Sequence, residues 1–544
     1  MERLGDSEIV HCGHEPLDES ADKSEALQTL RAFGRVRGRR VSVCSACVLR
    51  AAFPRQAGIR WPGTVQGKSI GAPRIKSYGL RTERKRFETT LARGPEKVDK
   101  GGMRTSQNLT RRKFIQTTAA ASAAPFILPS RIWGADVKPN DRIALGFIGM
   151  GKQNRGLLGG FLGRNETHTI AVCDVDTHRR EHAKKMVEDH YAKQTDNGSY
   201  KGCAAYYDFR GLIGRKDIDA VVIATPDHWH AIIAVAAANA KKHIYCEKPL
   251  CQSVHESQAM IRAVRKNNVV FQTGSMQRSS KEFRTACELV RNGVIGKIER
   301  VEVAVGGPGV PCDLPTEPAE PGLDWDRWLG PAPARGYHSE LSPRGVHDHF
   351  PNWRRYREYG GGMVTDWGAH HFDIAQWGLG MDDSGPVEII PPPDWEKAQS
   401  GVRLLYAKGT EVIHKSGNGV WFYGTDGKVY VNRGKFEFWK GSEQKASSPT
   451  DCEAVAAEYL TSAKVQLYKS DDHKGDWLSC LYSRKRPICD VEVGAHTVIV
   501  CHLVNLAYYH GQEMKWDPKK ENFVGGTGDA SWLDVPHREP WNVT

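Results

Sequence analysis

A chain of 544 residues is too long for one domain; at roughly 100–200 residues each, it holds two to four. Its 40% hydrophobic and 26% charged residues are those of an ordinary folded chain, and they exclude global disorder and a collagen-like repeat. The net charge of +12 does not mark a nucleic-acid binder, because residues 1–102 carry +8 and residues 103–135 carry +5, leaving −1 for the rest. A reader of polyanions keeps its excess charge on the folded body.

Residues 1–102 show neither helical nor strand periodicity. The arginine runs Arg35–Arg40 and Arg84–Arg86 alternate there with Gly and Pro, and Cys44 with Cys47 is a lone CxxC without a second pair, which does not make a zinc site. Met103 opens a different pattern. Arg111-Arg112-Lys113-Phe114-Ile115 precedes a mild Ala/Thr/Ser/Ile run ending near Ala135, and this resembles a twin-arginine export signal. Its apolar part, Thr117–Pro129, is too short and alanine-rich to span a bilayer, so stable membrane anchoring is not expected. Such a signal works near the true N-terminus. The expectations are therefore translation from Met103, a disordered or never-translated extension over 1–102, and delivery of the folded protein to the periplasm by the twin-arginine machinery.

Asp141–Ile148 reads as a buried parallel strand running into Gly149-Met150-Gly151 and a helical segment. One glycine permits the tight turn, and the next lets the backbone approach a pyrophosphate at the helix N-terminus. The third glycine of GxGxxG would fall at Asn154 and is absent; Gly156 comes two residues late. A second strand, His168–Asp174, ends in a carboxylate suited to ribose hydroxyls and hostile to a 2′-phosphate, which favours NAD over NADP although Arg179 and Arg180 follow. Strands at Asp219–Thr225, His243–Cys246 and Val269–Thr273 then alternate with helices at His228–Lys241 and Ser253–Asn267. That alternation predicts an α/β fold with a doubly wound parallel sheet.

Further residues carry a resemblance. Ala224-Thr225-Pro226-Asp227-His228-Trp229-His230, Glu247-Lys248-Pro249, and Gly360 through Asp366, His370, His371 and Asp373 resemble the Gfo/Idh/MocA oxidoreductases, relatives of glucose–fructose oxidoreductase and inositol dehydrogenase, over roughly residues 141–525. The resemblance implies a Rossmann NAD-binding domain over 141–268, an α/β domain with a large, mostly antiparallel sheet over 269–525, and a tail over 526–544. The sheet would use 297–305, 401–407, 410–415, 419–424 and 428–433. The implied cofactor contacts are Gly149, Met150, Gly151, Asp174, Thr225, Pro226, His230, Glu247 and Lys248, and the implied catalytic residues are Lys248, Asp366 and His370. Read as chemistry, the Lys248 ammonium can stabilise a developing alkoxide. Asp366 and His370, four apart on an expected helix, let a carboxylate orient an imidazole that takes the hydroxyl proton. Gln277 and Arg278, after the last Rossmann strand, and the aromatic Trp353 with His371 are candidate substrate contacts. His370, His371 and Asp373, with His347-Asp348-His349, could instead form a metal site; the family's usual members need none, and none is expected.

Three elements outside the motifs complete the reading. Leu323–Pro331 is a Pro/Gly-bounded insertion, His496–Leu506 a helix, and Trp516-Asp517-Pro518 the start of a wrap-around tail. The ten cysteines after residue 135 are expected mostly as free thiols, with one bridge among Cys452, Cys480 and Cys489 left open. The expected function is NAD-dependent oxidation of a hydroxyl on a sugar or polyol by a homo-oligomer, dimer or tetramer, that keeps its nucleotide bound. The alternatives are a glycosidase or lyase that recycles NAD through oxidation, elimination and reduction, and a non-catalytic sugar- or nucleotide-binding descendant.

Overall fold

The computed structural model describes residues 141–543; the twin-arginine segment, Met103 and the Cys44/Cys47 pair lie outside the described residues. The first unit alternates β1 (Ile143–Ile148), α1 (Lys152–Leu162), β2 (Thr167–Cys173), α2 (Thr177–Ala192), β3 (Ala204–Tyr206), α3 (Phe209–Ile213), β4 (Ala220–Ile223), α4 (Asp227–Asn239), β5 (His243–Cys246), α5 (Val254–Asn267) and β6 (Phe271–Thr273). The strands form one sheet in the order β3-β2-β1-β4-β5-β6, parallel throughout. Helices on both faces bury it, which is why the central strands read as near-continuous Val, Ile and Ala. Side chains punctuate the helices: the Asp176 carboxylate caps α2, Ser253 caps α5, and Asn268 ends α5 in the left-handed region. Because Phe271–Thr273 pairs with Ile244–Cys246, the first unit extends past the expected boundary at 268 and takes in β6.

The second unit contains α6 (Lys281–Arg291), β7 (Ile298–Ala304), α7 (Trp325–Leu329), α8 (Gly362–Asp366), α9 (Gly368–Leu379), β8 (Glu388–Ile390), β9 (Arg403–Leu405), β10 (Glu411–Lys415), β11 (Gly419–Gly424), β12 (Gly427–Asn432), β13 (Lys435–Lys440), β14 (Glu443–Ala446), α10 (Cys452–Tyr459), α11 (His473–Ser483), α12 (Val491–His510), β15 (Met514–Asp517) and β16 (Asn522–Val524). Its ten strands run β14-β13-β12-β11-β7-β10-β9-β8-β15-β16. All neighbours are antiparallel except β7 with β10. One face packs Val420, Phe422, Val429, Val431, Phe436 and Phe438 into the same apolar cluster as α6, α9 and α12, as the two-residue period of a half-covered sheet requires. Trp516 does not open a tail: it lies buried in β15, which pairs with β8.

The two units share their cores. Val491, Ala495 and Val498 at the start of α12 join the Rossmann cluster, whereas Ile499–Tyr508 belong to the second. Helix α11 lies against the Rossmann sheet, with the Trp477 ring 5.6 Å from both Phe161 and Tyr245. The ten cysteines are all free, Cys452, Cys480 and Cys489 among the buried ones.

Candidate active site

At the C-terminal ends of β1, β2 and β4 the chain forms a cleft lined by Gly149, Gly151, Asp174, Thr225 and Pro226. Gly149 sits at φ +81°, and a Cβ there would stand 2.7 Å from the Thr225 side chain, so the turn requires glycine. A Cβ on Gly151 would meet nothing within 4 Å. No side chain caps the α1 N-terminus there, so its first N–H groups remain available to an anion. The missing third glycine has a physical replacement: Asn154 is fully buried and its Nδ2 donates to the Ile148 carbonyl at 2.9 Å, tying α1 to the end of β1. Asp174 accepts from the Met150 N–H at 2.6 Å and from the Asp176 N–H at 2.8 Å, which fixes the carboxylate at the ribose position while leaving lone pairs for a ligand. These features fit a bound dinucleotide. Met150 contributes only its backbone, since its side chain is buried in the core beneath.

The cleft leads to a larger cavity of about 1110 Å³ that contains Lys248, Asp366, His370, Glu247, Asp227 and Gln277. Lys248 stands in the loop after β5, and its Nζ donates to Asp366 Oδ1 at 2.6 Å and to the Asp366 carbonyl at 2.9 Å. An ammonium has three donors, so one remains for a substrate oxygen. Burial alone would raise the Asp366 carboxyl, but Lys248 and Arg354 outweigh it and hold the group below its ordinary value. His370 lines the same cavity and is driven well below the usual imidazole range, first by burial and then by Lys248 and Arg433, so it is neutral. Its buried Nδ1 has no hydrogen-bond partner. The Gln277 amide fits with its N–H donating to the His370 carbonyl at 3.2 Å and its oxygen accepting from Arg433 Nε at 3.2 Å.

Several expectations are corrected here. Asp366 and His370 do not share one unbroken helix: α8 ends at Asp366, and α9 begins after Trp367. No hydrogen bond joins them, because the carboxylate is committed to Lys248. The His230 ring lies between the carbonyls of Pro249 at 2.7 Å and Thr225 at 2.9 Å. Held neutral by burial, the ring has one N–H and can donate to only one of these carbonyls; wedged between the Lys248 loop and the end of β4, it has neither nitrogen open to the cofactor. Arg278 is buried in ion pairs with Asp373 and Asp382, at 2.8 and 2.7 Å, away from the cavity. His371 is fully buried, with Nδ1 3.1 Å from the Ala304 carbonyl and 3.2 Å from the Gly419 N–H, of which it can bond one at a time; it packs between β7 and β11 and does not line the cavity. Trp353 lines both clefts, with the Arg354 guanidinium 4.2 Å above its ring.

The structure also adds Asp227 and gives the surroundings of the expected cofactor contact Glu247. Asp227, the first residue of α4, is 4% exposed and lines the same cavity as Lys248, and its carboxyl forms no hydrogen bond among the described residues. Burial pushes it well above the usual carboxyl range despite Arg354. Glu247 is likewise raised by burial, with Lys248 opposing, and it accepts from Gln153 Nε2 at 3.0 Å. The segment 343–351 reaches from the second unit to the nucleotide cleft. Arg179 donates to the carbonyls of Pro343 and Gly345, Arg155 to the His347 carbonyl and Asp348 Oδ1, and Lys152 to the Asp348 carbonyl. His347, Asp348 and His349 are thus part of a cover over that cleft, and no group of three or more His, Cys, Asp or Glu side chains arranged to hold a metal ion occurs among the described residues.

A parallel six-stranded nucleotide fold joined to a second sheet, with a lysine–carboxylate pair and a neutral histidine at the junction, defines an oxidoreductase of the Rossmann class. The chain belongs to the Gfo/Idh/MocA family: residues 143–275 match the oxidoreductase family's NAD-binding Rossmann fold and residues 310–543 its C-terminal alpha/beta domain. It is 24% identical over 278 residues to an uncharacterized oxidoreductase of Bacillus subtilis, covering 50% of this chain and 68% of that one. It is 45% identical over 91 residues to levoglucosan dehydrogenase of Pseudarthrobacter phenanthrenivorans, 17% and 23% of the two chains. A further match, 35% over 126 residues, is to myo-inositol 2-dehydrogenase of Thermotoga maritima, 23% and 35%. The matches to these last two dehydrogenases span only about a quarter to a third of their lengths.

Proposed function

We propose that the protein oxidises a hydroxyl group of a sugar, polyol or sugar derivative. The carrying observation is that the Lys248 ammonium, with one donor unused, faces the same cavity as the neutral His370. NAD, when bound, accepts the hydride. Lys248 donates to the substrate oxygen and stabilises the negative charge that develops there. Asp366 keeps that ammonium aimed. His370, uncharged across the physiological range, receives the hydroxyl proton on its cavity-facing nitrogen. Gln277 fixes the backbone of His370 and so its approach to the substrate.

Nucleotide released by denaturing the purified protein, measured by absorbance and mass, tests the cofactor, and absorbance at 340 nm with a panel of sugars and polyols tests the reaction. Lys248→Met is expected to lose roughly 10²–10³-fold in turnover while retaining nucleotide; unchanged turnover would refute its role. The surplus carboxyls Asp227 and Glu247 favour a second reading, in which oxidation acidifies a neighbouring C–H, the aglycone is eliminated and the hydride returns. Aryl-glycoside cleavage without net change at 340 nm would select it. The Arg111-Arg112 sequence supports export of the folded, nucleotide-loaded protein, checked by mass spectrometry of the native N-terminus: a cellular peptide from within residues 41–59 would contradict a start at Met103. The outer face of the second sheet, where Trp421 stacks against Tyr423 and lies 5.6 Å from Trp439, supports self-association, to be measured by light scattering.

A further inference from the structure

The segment after β16 reaches the nucleotide cleft. Beyond β16 the chain buries Leu533 in the second core, pairs His537 with Glu256 at 2.9 Å, and crosses to the insertion carrying α7. There Arg538 fastens it: its N–H donates to the Pro331 carbonyl at 2.8 Å, Nε to the Gly330 carbonyl at 2.9 Å, and a guanidinium nitrogen to Asp326 Oδ1 at 2.5 Å. The Trp541 N–H closes a turn on the Arg538 carbonyl at 3.0 Å. This places the indole edge-on to Trp229, with centroids 4.8 Å apart, and beneath the Arg210 guanidinium at 5.3 Å.

Trp541 lines the cleft together with Asp174, Phe209 and Ile233. In a Rossmann unit the carboxylate ending β2 takes the adenosine ribose, so side chains after β3 and on α4 stand on the adenine side. Trp229 is already spoken for, its Nε1 donating to the Trp328 carbonyl at 3.0 Å. Trp541 is only partly buried. A partly exposed indole held at both ends of a four-residue turn is a preorganised apolar wall for a flat base.

We infer that Trp541, presented by the C-terminal tail, forms part of the adenine-binding wall, so that the last residues of the chain help to select the nucleotide. The inference rests on the dinucleotide assignment of the cleft and not on the oxidation reaction. It is tested on nucleotide-stripped full-length protein by calorimetric titration with two half-ligands, AMP and nicotinamide mononucleotide. Trp541→Ala is expected to weaken AMP about tenfold or more, the range seen when an aromatic stacked on a base is removed, and to leave nicotinamide mononucleotide within about twofold. Arg538→Ala, which frees the tail without touching the ring, should give the same selective loss. Unchanged AMP affinity in Trp541→Ala, or equal losses for both half-ligands, overturns the inference alone. Wild-type protein binding neither half-ligand overturns the cleft assignment with it. Should Trp541→Ala fail to fold, Trp541→Phe and Trp541→Leu decide, because a leucine that binds AMP as well as phenylalanine does removes the aromatic role.

Discussion

Asp227 lies inside the Thr225–His230 motif, yet the motif reading valued its neighbours, because an acid at the first turn of a helix is an ordinary N-terminal choice. Its burial without a hydrogen bond becomes visible only once α4 is seen pointing into the cavity. A carboxyl whose pKa in the fold stands above its unfolded value is penalised as pH rises through that value. Asp227→Asn is therefore expected to raise the melting temperature, by a margin that grows from pH 5 to pH 8; a melting temperature unchanged across that interval would show that the buried carboxyl carries no such penalty. His370 has the opposite sign. Its imidazole is depressed, so the form that accepts a proton persists below pH 6.5, and the acid limb of kcat/KM is expected beneath that value. A limb at or above pH 6.5 that disappears in His370→Gln would contradict the neutral assignment.

At the level of elements, the sequence carried β1, β2, β4, β5 and β6 of the Rossmann sheet, the glycine turn, and β7, β9, β10, β11 and β12 of the second sheet, because their apolar runs are bounded by clear turn residues. It did not carry β3, β8, β13, β14, β15 or β16, edge or near-edge strands whose order comes from pairing with their neighbours. Arg278 and Gln277 gave the same signal, adjacent polar residues after a strand, and only the fold sends one to the cavity and the other to Asp373. Likewise His370 and His371 are neighbours on α9, so the helical turn directs them to opposite surroundings. The Arg278 triad bridges the 3₁₀ turn after β6 to α9. Removing its cation leaves Asp373 buried without charge compensation, so Arg278→Ala is expected to lose about 3–5 kcal/mol of stability in urea unfolding. Arg278→Lys should recover little, since an ammonium cannot reproduce the two-sided fork.

For the molecule as a whole, the buried histidines set the acid limit. His228, His230, His371, His414, His473 and His502 are each lowered to about 4, with burial as the largest cause. The unfolded chain protonates these groups near pH 6.5 and the fold does not, so stability is expected to fall steadily from pH 6.5 toward 4, as thermal melts across that interval would show. The position of Trp477 between Phe161 and Tyr245 has a separate consequence. A fragment cut at the junction near residue 275 would leave those two rings facing water on a bare sheet, and the remaining half would carry an orphaned indole. Neither piece can be an independent folding unit, so heat should take both halves apart in a single calorimetric event.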